Sequence, residues 1–366
     1  MTVCKRWPSK WLQSHQRLVM QVIPVVILLG CAQPQVEEVE HAPTQAKVQA
    51  VPEHTVDTDE VSSASQSVEP SNDHTPQATS DRDNKTAAPA VALGEAEISY
   101  EVVQTLPAGI SETSGLARRD GLLWTINDSG DQPYIYQLTQ GATQIKKRHK
   151  IRGASNQDWE SLAQDDEYLY VADCGNNSGH RDDFQIYRVP WQQIDEAGSQ
   201  DYVSGDTLRF SYQAKQGKYQ AYEHNYDCEA ITKVEHELWL FSKNWADEQS
   251  QLYIIDPTQA QQALSVADTV NVQGLVTAAD YRPETGYLAL LGYSKQRVFG
   301  HGFLWVFPVV GGNIDITAGK RFVLPQYAQW EAIVWQDDQT LLLTTETSVL
   351  MDASLAKISL IFNSER

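Results

Sequence analysis

Five residues with oxygen-bearing side chains recur in the same short sequence context. Each precedes a pair of small or apolar residues, and successive copies lie 46 to 69 residues apart. They are Ser114, Glu160, Glu229, Thr277 and Glu331. Three carboxylates held close together cannot all stay ionised without compensation, because each raises the pKa of the others. Carboxylate and hydroxyl oxygens suit Ca²⁺ better than a transition metal. The set therefore predicts a Ca²⁺ site, and the alternative is a ring of hydrogen-bonded polar side chains around channel water.

Each of these residues begins a stretch with the pattern of short β-strands. About ten residues later a second apolar run follows, such as 122–128 or 238–243, and Asp120-Gly121 is a hairpin signal between the first two runs. Repeats of this length built from short strands are typical of β-propellers. We predict an all-β fold with five four-stranded blades over residues 96–366. Six blades are the alternative, because the interval between the second and third copies is long.

The fifth copy has three strands before the chain ends, so one strand must come from elsewhere. Residues 97–105 have the pattern of a strand and precede the first copy. We expect this strand to close the ring by pairing with the last blade, since an open ring would leave a sheet edge available for aggregation.

A propeller brings the repeated residues together. The first strand of each blade lines the central channel, and the following hairpin returns the chain to the same mouth. The five residues therefore form a predicted axial ring. Residues two positions earlier lie on the same side of their strands. These are Glu112, Asp158, Asp227 and Gln329.

The order of these motifs resembles the blade starts of soluble calcium-activated apyrases. The matching segments are Glu112-Thr-Ser-Gly-Leu, Asp158-Trp-Glu-Ser-Leu-Ala, Cys228-Glu-Ala, Thr277-Ala-Ala-Asp-Tyr and Trp330-Glu-Ala-Ile. The resemblance implies a five-bladed propeller with one axial Ca²⁺ held by side chains of the ring. A second resemblance, through Asn-Asp-Ser-Gly-Asp and Asp-Trp-Glu, is to secreted bacterial propeller proteins of unassigned function.

Polar residues at the ends of the second strands are candidates for a site above the ring. Asp128 and Asp173 are catalytic candidates that could orient a water molecule. The candidate substrate-binding residues are Asn127, Asn177, Arg181, Lys243 and Glu346. The alternative is that these segments are ordinary turns whose side chains bond to nearby backbone. Apyrases carry an acid pair followed by Arg in the first-blade loop, whereas this chain has Asn127-Asp128-Ser129.

Two cysteines lie in the predicted propeller. Cys174 follows the second strand of blade two, and Cys228 precedes Glu229 at the start of blade three. Both positions are near one mouth on adjacent blades, which predicts a disulfide in an oxidising compartment. The alternative is two small buried apolar side chains.

The N-terminal segment has the features of a bacterial lipoprotein signal. A basic region is followed by a short apolar run and by Leu28-Leu-Gly-Cys31, which resembles a lipobox. Residues 1–30 are the predicted signal peptide, with lipid on Cys31, and Ala32 predicts the outer membrane. Residues 31–95 are a predicted disordered acidic tether, because residues 32–95 contain 12 Asp or Glu against 3 Lys or Arg.

The charge of the chain limits its partners. The formal net charge is −20 at pH 7, which excludes nucleic-acid binding by the protein as a whole because phosphates would be repelled. Membrane attachment through Cys31 is expected. The sequence favours a lipid-anchored cell-envelope propeller that binds an envelope protein or a glycan at its face or mouth. The alternative is a Ca²⁺-dependent hydrolase of a phosphate-containing or other anionic substrate.

Overall fold

A computed structural model of the chain describes residue 93 and residues 95–296, 300–349 and 351–362. The predicted signal peptide, Cys31 and nearly all of the predicted tether lie outside these residues. Within the described part, no helix has the length and apolarity needed to cross a lipid bilayer.

The first strand stands apart in the chain, and two blades follow it. Strand β1 is Glu97–Thr105. Blade 1 begins with β2 (Thr113–Arg119), β3 (Leu122–Asn127), β4 (Tyr134–Leu138) and β5 (Ile145–Ile151). Blade 2 contains β6 (Trp159–Gln164), β7 (Tyr168–Asp173), β8 (Phe184–Pro190) and, after helix α1 (Trp191–Glu196) and strand β9 (Tyr202–Val203), β10 (Asp206–Tyr212).

Three further blades complete the ring. Blade 3 is built from β11 (Cys228–Val234), β12 (Glu237–Ser242), β13 (Ser250–Ile255) and, after β14 (Gln261–Leu264), β15 (Val266–Val270). Blade 4 contains β16 (Leu275–Arg282), β17 (Tyr287–Tyr293), β18 (Gly302–Val310), β19 (Asn313–Ile314) and β20 (Lys320–Val323). Blade 5 contains β21 (Trp330–Trp335), β22 (Thr340–Thr345) and β23 (Ser354–Ile361).

The strand order confirms a five-bladed β-propeller. The described strands form five separate sheets, and the first strand of each blade packs against the first strands of the two neighbouring blades. Strand β1 pairs antiparallel with β23 and gives blade 5 its fourth strand, as the sequence predicted. The described residues form five blades and not the alternative number of six.

The hydrophobic core is divided among the five seams between blades. Five clusters of buried side chains occur in the described residues, and each joins two neighbouring blades. Strand β12 shows how one sequence serves two seams. Leu238 and Leu240 pack toward blade 2, whereas Trp239 and Phe241 pack toward blade 4. Because both faces of such a strand are buried, its sequence is continuously apolar rather than alternating.

The long interval between the second and third repeats contains additions to the propeller. Helix α1 and strand β9 lie within it, and β9 pairs in parallel with the outer strand β5 of blade 1. Strand β14 similarly leaves blade 3 and pairs in parallel with β10 of blade 2. The sequence did not predict these strands, since they are short and each pairs with the outer strand of the preceding blade.

Candidate metal centre at the channel mouth

Each residue of the axial ring occupies the same irregular backbone position. A register shift lies between positions 113 and 115, 159 and 161, 228 and 230, 276 and 278, and 330 and 332. The residue between each pair is the ring residue, and it has no counterpart on the second strand of its blade. Such a β-bulge redirects a side chain. Five equivalent bulges therefore give the five ring residues one common setting at the start of the inner strands.

The two hydroxyl members of the ring bond to neighbouring blades. The Ser114 hydroxyl donates to the carbonyl oxygen of Trp159 at 2.7 Å, and the Thr277 hydroxyl donates to that of Trp330 at 2.5 Å. In both cases the acceptor residue immediately precedes a ring glutamate of the next blade. The hydroxyls thus fix the positions of Glu160 and Glu331.

Lys243 supplies a cation to the axial ring, beside Glu229. Its Nζ lies 3.0 Å from Oε1 of Glu229, and both side chains are buried. The ammonium also lies 5.3 Å from the ring centres of Trp245 and Tyr293. Burial alone would lower the pKa of Lys243, but Glu229 and the other nearby anionic groups raise the pKa well above its usual range. Glu229 therefore already has a positive charge beside it.

Glu331 and Glu346 also interact electrostatically with Lys243. Burial raises the pKa of Glu331, while Lys243 and a hydrogen bond with Tyr293 lower it. The pKa of Glu346 is raised well above its usual range by burial and then by Glu331 and Asp128. Gln329 donates a long hydrogen bond of 3.4 Å to Oε2 of Glu346.

A cluster of three carboxylates lies at the mouth where blades 1 and 2 meet. Asp128, Asp158 and Glu160 each place an oxygen within 4.8 Å of the other two. Asp128 follows the second strand of blade 1, whereas Asp158 and Glu160 stand at the start of the inner strand of blade 2. We call these three residues the acidic trio. Their separation matches a set of oxygen ligands that converge on one cation.

The backbone around the trio is fitted closely to it. A Cβ atom at Gly175 would lie 2.1 Å from Oε1 of Glu160 and 2.5 Å from Oδ2 of Asp158, so a larger residue would collide with these oxygens and displace them. Asn156 donates from Nδ2 to the carbonyl oxygens of Asn127 and Asp128 at 3.0 and 2.9 Å. These contacts hold the blade 1 and blade 2 members of the trio together.

The carboxylates at this mouth far outnumber the cations that interact with them. Among the described residues, two cations, Lys243 and Arg181, lie there among nine interacting carboxylates. The carboxylates are Glu112, Asp128, Asp158, Glu160, Asp173, Asp227, Glu229, Glu331 and Glu346. This excess of negative charge favours bound protons or a bound metal cation.

The pKa values of all three trio carboxylates are raised. Burial raises the pKa of Asp128 and of Glu160 well above the usual range, and neighbouring carboxylates raise both further. Burial and Asp227 raise the pKa of Asp158 to about 6, although Arg181 opposes the shift. A divalent cation would offset both the cost of burying these carboxylates and their mutual repulsion, which together cause the shifts.

Two candidate residues from the sequence are occupied by contacts within the protein. Asp173 is fully buried, and its carboxylate accepts hydrogen bonds from the backbone of Asp158, from Arg181 and from Gln185. Arg181 donates to the carbonyl oxygens of Asp173 and Gly175 at 2.9 Å each. In the described structure, both residues hold the loop that carries Gly175.

Asn127 and Asn177 border the same region. The Nδ2 atom of Asn127 donates to the carbonyl oxygen of Gly109 and to Asp131, while its buried Oδ1 has no hydrogen-bond partner among the described residues. Asn177 is half-buried, and its carbonyl oxygen accepts from the backbone of Tyr222.

The predicted disulfide is confirmed. Cys174 and Cys228 are bonded, with their Cα atoms 5.4 Å apart. The bond joins the end of β7 to the start of β11, directly before the ring residue Glu229. It therefore links two segments that border the channel mouth, and the alternative of two separate thiols is excluded for this structure.

The trio differs from the ligand set expected from the sequence. Glu160 was predicted as a ligand, whereas Asp128 was a catalytic candidate and Asp158 belonged to the second set of axial residues. The sequence signal for Asp158 was its position two residues before Glu160. The pairing of Lys243 with Glu229 had no sequence signal, because it depends on side-chain directions across a hairpin.

Comparisons with known proteins add little about function. No protein family and no curated protein matches the sequence. Similar solved structures include a glutaminyl cyclase of Myxococcus xanthus (12% identity, 72% of this chain, 97% of that chain, TM-score 0.40) and a putative oxidoreductase (glucose dehydrogenase) of Thermus thermophilus (12%, 72%, 100%, 0.41). Kuenenia stuttgartiensis hydrazine synthase is also similar (10%, 69% of this chain, 64% of that chain, TM-score 0.38).

The strand order defines the class of protein. The described chain is a five-bladed β-propeller with an acidic channel mouth. The similar structures assign neither an activity nor a ligand to this chain, since fold alone does not determine function.

Proposed function

We propose that this protein is a lipid-anchored cell-envelope propeller whose acidic trio binds a Ca²⁺-type cation. In this proposal the cation stabilises the channel mouth, and the mouth binds an envelope protein or a glycan. The observation that carries the proposal is the convergence of Asp128, Asp158 and Glu160 within 4.8 Å.

The residues present fit a hard divalent cation. The trio supplies carboxylate oxygens, which Ca²⁺ prefers, and no sulfur or imidazole ligand is part of the trio. Because Gly175 has no Cβ atom, two of these carboxylates can pack directly against it. A bound cation would supply positive charge to carboxylates whose pKa values remain raised despite Lys243 and Arg181. The trio includes Glu160 of the five-residue ring. The other members of the ring are Ser114, Glu229, Thr277 and Glu331.

A calcium titration tests the site directly. We expect calorimetry on the metal-free protein to show one Ca²⁺ per chain. Asp158→Asn and Glu160→Gln should each weaken binding at least about ten-fold, because each removes a charged ligand. Affinity should also fall as the pH is lowered from 7.5 to 5.5, since protons compete for Asp158, whose pKa is about 6.

The matched control is Asp120→Asn. Asp120 is highly exposed, has a positive φ that Asn tolerates, and lies on the hairpin between β2 and β3 rather than in the trio. This variant should bind Ca²⁺ like the unmodified protein. Absence of Ca²⁺ binding, or equal binding by all the variants, would contradict the proposed site.

Two aromatic rings at the mouth support a binding role. Tyr222 and Trp245 are half-buried and meet edge to face, with ring centres 4.9 Å apart. The Trp245 indole donates to the buried carboxylate of Asp227 at 2.6 Å, which fixes the ring beside the axial carboxylates. Fixed, partly exposed aromatic rings offer flat apolar area to a partner at low entropic cost.

A hydrolase acting on a phosphate-containing or other anionic substrate is the second candidate. Asp128 favours it, because this carboxylate is half-buried at the mouth and belongs to the proposed metal centre. The contacts of Asp173 and Arg181 favour the binding role instead, since these side chains are engaged by the protein. A Ca²⁺-dependent turnover of phosphate esters or nucleotides that Asp128→Ala abolishes would establish the hydrolase.

The lipid anchor has its own test. We expect metabolic labelling with a fatty acid to mark the full chain in a bacterial host and to depend on Cys31. Cys31→Ser should remove the label and release the protein from the membrane fraction at high salt. Equal labelling of the two forms would contradict lipidation at Cys31.

A further inference from the structure

A dense row of cations crosses the outer part of blade 1. Lys or Arg occupies five of the seven positions 146–152, in a protein whose net charge is −20. Among the described residues, none of these five side chains lies within the 4.0 Å of a carboxylate that defines an ion pair. The paired cations elsewhere are Arg119, Arg181, Arg188, Lys215, Lys243, Arg282 and Lys357.

Four of these cations lie close together along β5 and just beyond its end. Successive side chains of a strand alternate between faces, so Arg148 and Lys150 share a side at an interval of roughly 7 Å. Lys146 lies at the register shift between β4 and β5, and Arg152 directly follows the last residue of β5. We call these four residues the basic stripe. Its members are exposed, apart from Lys150, which is half-buried. The opposite face turns inward, because His149 and Ile151 are buried.

Tyrosine rings lie among the cations of the stripe. Arg148 stands 5.1 Å and Lys150 stands 5.9 Å from the ring centre of Tyr134. Arg152 stands 5.1 Å from the ring centre of Tyr202, a side chain that is 54% exposed. The nearest hydrogen-bond partners of the stripe are neutral, because Arg148 donates to Gln200 and Lys150 donates to Gln132.

We propose that the basic stripe binds the surface of an anionic lipid bilayer. Lysine, arginine and exposed tyrosine together are typical of protein surfaces at a membrane interface. Each cation near an anionic surface contributes about 1 kcal/mol, which corresponds to roughly five-fold in binding. The negative charge of the rest of the protein acts weakly there, because charges beyond about 8 Å are screened at physiological ionic strength. This inference is independent of the proposed metal centre.

Lysine footprinting of the full chain on vesicles tests the stripe without depending on how the N-terminus is attached. We expect a water-soluble acylating reagent to modify Lys146 and Lys150 about five-fold more slowly on phosphatidylglycerol vesicles than on phosphatidylcholine vesicles. High salt should remove the difference. Lys218, an exposed residue of blade 2, should react equally on both vesicles.

A pair of arginine variants separates the stripe from general charge effects. Arg148 and Arg209 are both exposed strand residues that donate to a glutamine side chain, at 3.3 and 3.2 Å. Arg148→Glu should remove most of the protection at Lys146 and Lys150, whereas Arg209→Glu should leave it intact. Equal reaction rates on the two vesicles would overturn the proposal. Protection by soluble heparin with none by anionic vesicles would also overturn it and would indicate a polyanion site instead.

Discussion

At the scale of single residues, Lys243 compensates the charge of one member of the axial ring. Lys243 approaches Glu229 to 3.0 Å in a buried setting and stands between Trp245 and Tyr293. Lys243 therefore neutralises Glu229, while the acidic trio, whose pKa values stay raised, is left to protons or a metal ion. The sequence identified the ring residues through their repeated context. It could not show which carboxylate Lys243 would meet, since that depends on the rotamer of a long side chain.

Removing Lys243 should strongly destabilise the fold. Lys243→Met leaves Glu229 buried without its counter-ion, which costs about 3–5 kcal/mol of unfolding free energy. Chemical denaturation monitored by tryptophan fluorescence measures this change. The double variant Lys243→Met/Glu229→Gln should recover much of the loss, because the unpaired carboxylate is then absent.

The ion pair of Lys357 and Glu101 provides the control. Its atoms are also 3.0 Å apart, but its side chains are 37% and 62% exposed. Lys357→Met should cost at most about 1 kcal/mol, as is usual for surface pairs. Similar losses for the buried and exposed variants would show that Lys243 does not compensate the ring as described.

At the scale of elements, the inner strands are joined around the ring by specific hydrogen bonds. Ser161 accepts from the backbone of Ile231, and Thr232 accepts from that of Tyr281. Asp280 continues the series, because its Oδ2 accepts from the backbone of Trp335 at 2.7 Å. The strands themselves were predicted closely from apolar runs and turn residues. These links were not predicted, because they join residues about 50 to 70 positions apart.

Asp280 should make stability depend on pH. Burial raises the pKa of this carboxyl to about 7, although the hydrogen bond from Trp335 opposes the shift. A carboxyl whose pKa is higher in the folded state stabilises the protein when protonated. That contribution is lost as the pH rises from about 4 through about 7.

The variant Asp280→Asn isolates this effect. An Asn side chain can still accept the hydrogen bond from Trp335 but does not ionise. Relative to the unmodified protein, the variant should gain roughly 2 to 4 kcal/mol of unfolding free energy between pH 4.5 and pH 8. Asp268→Asn, at an exposed position, is the control and should follow the unmodified protein. A constant difference between Asp280→Asn and the unmodified protein across this range would contradict the assignment.

At the scale of the whole molecule, five seams and one closing strand make the ring. The number of blades could be predicted because each blade begins with the same short context, and 97–105 was recognisable as an extra strand. The bulges at Ser114 and Glu160, by contrast, leave no local pattern of their own, since a bulge is a relation between two strands. The position of the acidic trio at the seam of blades 1 and 2 followed from those bulges and was available from the structure alone.

The most direct test of the proposed metal centre is anomalous diffraction from crystals of the protein grown with Ca²⁺ or soaked in Tb³⁺. We predict one strong peak at the channel mouth, within about 2.3–2.6 Å of carboxylate oxygens of Asp128, Asp158 and Glu160. A mouth without a peak at saturating cation, or a peak that none of these three carboxylates contacts, would contradict the proposed site.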